Sequence, residues 1–213
     1  MKRSSTDLLL RSGPASFAVL VLAAAVGRPF ANLPPPDQVV AHLDESRMRV
    51  LIGTWVESIG AMLLMTFSVG VASRLREVEG NRSPLATVAL AGGVGTGTLL
   101  LARGAVVAAA AERAGGAGAS AETATLAIDV GNLLIGKMAP VSLALVTGAT
   151  AIAGRRLTPP WFARATAALT VGLVSPLNFL FVLPGLLWVA GLGWWLGRTS
   201  GSGPLATSSD VGE

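Results

Sequence analysis

Apolar runs of about twenty residues, parted by short arginine-bearing connectors, recur along the whole chain and restrict its fold more than any other feature. A helix needs about 20 mostly apolar residues to cross roughly 30 Å of hydrocarbon. Inside lipid it must also bond every backbone N–H and C=O within the segment. Runs at about 12–31, 50–71, 85–111, 123–153, 162–177 and 179–197 meet the length requirement or approach it, which predicts about six spans. The fold class expected is therefore all-α, a polytopic transmembrane helical bundle. Residues 1–198 form its single domain, and a polar, glycine-rich tail at 199–213 is expected to be disordered. The junction of the last two spans is crowded by Pro176, Asn178 and Pro184, so the chain must turn there if both runs cross.

Composition agrees with lipid as the solvent. Only 13% of residues are charged and the mean hydropathy is +0.63, against roughly 25% charged residues in an average soluble domain. The net charge is +4, but the basic residues form no continuous face of the kind nucleic-acid binding needs. Without cysteine there is no thiolate metal site or cysteine nucleophile, and His42 is the one histidine. No metal or cofactor is expected. Fourteen arginines against two lysines, with abundant alanine and glycine, read as the coding bias of a high-GC bacterium. That places the chain in a cytoplasmic (inner) membrane as a multi-pass protein.

Arginine and lysine near the helix ends orient such a bundle, because they accumulate on the cytoplasmic side. With a cytoplasmic N-terminus the inner set is Lys2, Arg3, Arg11, Arg74, Arg76, Arg82, Arg155, Arg156, Arg164 and Arg198. The outer set is Arg28, Arg47, Arg49 and Arg113. Ten against four puts both termini inside. A rival reading takes the first run, behind Lys2, Arg3 and Arg11, as a cleaved signal peptide. Arg28-Pro29 after the apolar core fits that poorly. The longest outer loop starts with Leu33-Pro34-Pro35-Pro36, which favours polyproline II. Asp37 can then cap a short helix on which Val39, Val40, Leu43 and Met48 recur at helical spacing. It can serve as a connector lying on the membrane surface or as a lid.

Taken in order, the Pro-rich loop, the short helix, Arg49 opening the second span, Leu75-Arg76 closing it and Pro159-Pro160-Trp161-Phe162 opening the fifth form a pattern. It resembles small six-span membrane proteins of actinobacteria catalogued as a domain of unknown function. The likeness extends over residues 17–197. It implies the topology and no activity.

The glycine-rich stretch from Gly92 to Thr98 lies inside an apolar run, so its amides are committed to the helix and cannot cradle a phosphate. Gly93 with Gly97, and Gly193 with Gly197, instead form small-xxx-small pairs that let a neighbouring helix approach closely. Trp188, Trp194 and Trp195 read as lipid-facing or interfacial anchors.

Charges inside spans carry the functional signal, since each costs about 2.5–3.5 kcal/mol at a helix centre on insertion scales. At about 1.5 Å per residue, Glu57, Arg103 and Asp129 all lie roughly 9–12 Å from the outer ends of spans two, three and four. Asn132 follows Asp129 by one turn, and Lys137 lies two turns deeper. A polar cluster of Glu57, Arg103, Asp129, Asn132 and Lys137 is therefore expected in the outer half of the bilayer. Three uses of it stay open. It can be an ion-pair network pinning the helices, or the binding site of a small-solute or ion transporter. It can also be a membrane-embedded enzyme acting on a lipophilic substrate, with Glu57 or Asp129 as acid or base. An accessory subunit of a membrane complex is a further class. The partners implied are the lipid bilayer and, through the glycine faces, another membrane protein or a second copy.

Overall fold

The computed structural model describes residues 5–27, 35, 38–116 and 120–199, apart from the side chain of Arg155. Among these the chain is helical throughout, with no strand. Its helices are α1 (Ser5–Val26), α2 (Val39–Glu45), α3 (Arg47–Glu79), α4 (Pro84–Ala114), α5 (Ala121–Leu133), α6 (Ala139–Leu157), α7 (Pro160–Val174) and α8 (Val182–Thr199). A π-helical turn, Leu134–Met138, joins α5 to α6, and a 3₁₀ turn, Asn178–Phe181, leads into α8. Among the described residues five stretches are long and apolar enough to cross a membrane: Ser5–Val26, Arg47–Glu79, Pro84–Ala114, Ala121–Gly154 and Asn178–Thr199. α7, at 15 residues, is shorter than these. The expected polyproline segment and the cap at Asp37 fall mostly outside the described residues, as does the tail beyond Thr199.

Local chemistry sets the helix ends. α3 stops where Gly80 takes φ +96°, a left-handed conformation that costs glycine little. Ser83 then caps α4 by accepting from the Ala86 N–H at 3.1 Å, with Pro84 at the first helical position. Ser120 caps α5 in the same way, through the Thr123 N–H at 3.2 Å. The π turn has a cause two residues beyond it. Pro140 has no N–H to continue the ladder, and its ring would press on the carbonyl four residues back. The hydrogen-bond register widens there, so that the Ala139 N–H reaches Leu134 O.

Successive long helices run antiparallel. The start of α1, the end of α3, the start of α4, the ends of α6 and α8 and the start of α7 gather at one end of the bundle, here termed the near end. Gly53 of α3 meets Gly27, beyond the end of α1, while Gly70 meets Leu9 and Leu10 near its start. Gly93 and Gly97 of α4 lie against Ser68 and against Met65 and Ala61 of α3, as small-xxx-small packing requires. α4 packs on α6, α6 on α7, and α8 returns to α1, which closes a ring. The ring is filled by Phe67, Leu10, Leu64, Leu173, Val146, Val189 and Leu192. At the far end α2 seals a second, smaller core. Val39 and Leu43 are buried there against Val50, Val107, Ala111, Ala124 and Ile128.

Two tryptophans depart from the anchor expectation. Trp188 is 7% exposed, and its indole N–H donates to Thr166 Oγ1 of α7 at 2.9 Å, so it joins two helices inside the core. Trp195 also packs, partly buried, against that core. A buried indole needs one acceptor, and a threonine on the facing helix supplies it. Trp194 is exposed, with the Arg198 guanidinium 3.8 Å from its ring centroid. Trp161 at the near end and Trp55 at the far end are exposed as well.

Candidate functional site

Near the far end, Arg103 of α4 donates through a terminal nitrogen to one carboxylate oxygen of Glu57 on α3. Glu57 is 5% exposed, and both side chains line a cavity of about 600 Å³. Such a volume falls within the usual range for small-molecule sites. Its walls come from the far half of α1 (Leu20, Ala23), from α3 and α4 (Leu64, Leu100), from the π turn and α6 (Ile135, Leu143), and from α7 and α8 (Leu173, Leu186). Four polar side chains reach it: Thr54, Thr96, Glu57 and Arg103. The two threonine hydroxyls donate to carbonyls of their own helices, at Leu51 and Gly92. Among the described residues the ion pair is therefore the one charged feature of a largely apolar chamber.

The pair leaves bonding capacity unused. It engages one oxygen of Glu57 and one nitrogen of Arg103. The remaining carboxylate oxygen and guanidinium nitrogens make no hydrogen bond among the described residues.

Of the five residues expected to cluster, the structure brings Glu57 and Arg103 together and places the other three apart. Asp129 is exposed and forms no ion pair or hydrogen bond among the described residues. The reason is angular. Gly131 is the α5 residue that faces Arg103, its Cβ position lying 3.5 Å from Arg103 Cγ. Two residues along an α-helix turn by about 200°, so Asp129 points away. Asn132 is exposed too. Lys137 donates through Nζ to Pro176 O at 2.9 Å and stands 5.6 Å from the Phe179 ring centroid. Its own carbonyl accepts from Asn178 Nδ2 at 3.0 Å. These contacts tie the π turn to the link between α7 and α8, and Phe179 from that link lines the cavity.

Sequence reasoning did not anticipate the cavity, the Lys137–Asn178 tie or the π turn. Pro140 beside Gly136 was a legible signal for the last of these. Among the described residues, no group of three or more His, Cys, Asp or Glu side chains is placed to hold a metal ion. Comparisons with protein-family models, with curated proteins and with solved structures found no match to this chain.

Proposed function

We propose that this chain is a six-crossing protein of a bacterial cytoplasmic membrane, with both termini inside, that binds and carries a lipophilic molecule. The carrying observation is the cavity: about 600 Å³, apolar on nearly all sides, with one ion pair on its wall. An amphiphile would lay its hydrocarbon against Leu64, Leu100, Leu143 and Leu186 and set its polar group at Glu57 and Arg103. Ions and small polar solutes fit poorly, since they need successive polar ligands along a path and Thr54 and Thr96 alone accompany the pair. The enzyme reading loses support because acid–base division of labour uses two carboxylates, and Asp129 stands away from Glu57.

Orientation rests on the ten-to-four excess of arginine and lysine that the sequence gives to the inner set. The sixth crossing is α7, whose 15 residues rise roughly 22 Å. The segment from Ser175 to Phe181 extends it before α8 returns. Reporter fusions after Glu79 and Arg156 should give cytoplasmic signals, and one after Gly116 an external signal. Reversal at two of these sites would overturn the orientation. For binding, native mass spectrometry of the full chain released gently from detergent should show a bound lipophile of defined mass. A bare polypeptide mass under conditions that preserve the fold would overturn the carrier reading.

A further inference from the structure

The cavity's wall is incomplete on one side. Several of its lining residues are themselves exposed: Val21, Ala24 and Ala25 on α1, Phe179 in the 3₁₀ turn before α8, and Leu183 at the start of α8. They face one another across the far halves of the same helix pair. At the near end that pair is closed tightly, because Gly193 of α8 sits on the Leu10 carbonyl and Gly13 of α1 on the Val189 carbonyl. A Cβ at Gly193 would lie 2.6 Å from Leu10 O, and one at Gly13 would lie 2.8 Å from Val189 O. α1 meanwhile stays on α3 to its end, through Ser16 Oγ donating to Gly60 O at 2.9 Å and the Gly27–Gly53 contact. Helices that touch at a glycine crossing and part beyond it leave a gap, and among the described residues the exposed side chains lining this one are all apolar.

From this we infer that the occupant enters sideways from the membrane, between α1 and α8, and carries an uncharged, oxygen-bearing head. The inference rests on the carrier reading and specifies its ligand. An apolar mouth at the level of the bilayer admits a molecule already dissolved in lipid and offers nothing to one arriving from water. Charge sets the head group. Glu57 and Arg103 neutralise each other, and no third charged side chain among the described residues lines the cavity. A phosphate head would leave an uncompensated charge in low-dielectric surroundings, at high cost. A hydroxyl group can instead donate to the open Glu57 oxygen, and a hydroxyl or ester oxygen can accept from Arg103, without changing the net charge. Lys137 adds no countercharge inside, being held at Pro176 behind Phe179.

The test uses the full chain in phosphatidylcholine nanodiscs and two probes with the same photoactivatable acyl chains, a diacylglycerol and a phosphatidate. The chain has no cysteine, so an Ala24→Cys/Leu183→Cys variant can be bridged across the mouth by a bifunctional maleimide after folding, with bridging verified by mass. The diacylglycerol should label peptides of α3 and α4 that line the cavity, and the phosphatidate should label them roughly tenfold less. Bridging should reduce that labelling to background relative to the same variant left unbridged. Equal or stronger labelling by phosphatidate would overturn the neutral-head assignment and leave the cavity's role intact. Labelling indifferent to a verified bridge would overturn the lateral route. Adducts from both probes confined to outward residues such as Trp55 and Ile152 would instead sink the carrier reading itself.

Discussion

The pair of α1 and α8 is built on opposite rules in its two halves. In the near half, small residues let backbones touch. Gly13 and Gly193 accept neighbours so close that a methyl group would collide with a ring or a carbonyl, and Phe67 between them is fully buried. In the far half the same helices part around about 600 Å³, and a glutamate and an arginine share the wall. Helix association in lipid rests largely on van der Waals contact between small residues. The dense half can therefore supply cohesion and leave the hollow half free to bind. The pair of polar groups sits where a ligand can reach it, away from the tight crossing.

Changes that disturb each half should separate these roles. The largest effect is expected in the hollow half, from Arg103→Leu, which strands the buried Glu57 carboxylate. Removing one partner of a buried pair costs about 3–5 kcal/mol, so folded yield and Tm in detergent should fall sharply. Adding Glu57→Gln should recover part of the loss. A Tm for Arg103→Leu within a degree or two of wild type would show that water or a ligand solvates the site, and would make the pair functional with no structural role. Next comes Gly193→Val in the dense half. Its side chain must displace the Leu10 carbonyl, and overpacking of this kind costs about 1–3 kcal/mol. A neutral result would mean that α8 is not locked on α1. Smallest is Ala139→Leu, which extends into the cavity beside the π turn and should change stability by less than about 1 kcal/mol. If it destabilised the protein as strongly as Gly193→Val, the contrast between the halves would fail.

Axial features of this fold were legible in the sequence and azimuthal ones were not. The long apolar helices, the Gly93–Gly97 face and the shared level of Glu57 and Arg103 follow from counting residues at a fixed rise. The first helix, though, runs over Ser5–Val26 against an expected run at about 12–31. The face on which Asp129 lies depends on how α5 is rotated against α4, which a residue count does not fix, and Gly131 took the place facing Arg103. Trp188 misled for a related reason: its hydrogen-bond partner, Thr166, lies on another helix 22 residues away. The cavity is harder still, because an absence of atoms between α1 and α8 is encoded in no single segment. Only the glycines at the near crossing hinted at where those helices would meet.

The most direct test of the account is to fill the hollow half without touching its charges. Leu100 lines the cavity and is 6% exposed, so Leu100→Trp should occupy ligand space and leave the Glu57–Arg103 pair in place. Lipophile extracted from equal amounts of purified protein can be quantified by mass spectrometry beside the thermal melt of each sample. About one bound molecule per wild-type chain is expected, the stoichiometry of a single well-formed pocket. Little or none should remain on Leu100→Trp, with the Tm nearly unchanged. A variant that kept its full complement of lipophile while melting like wild type would contradict the account.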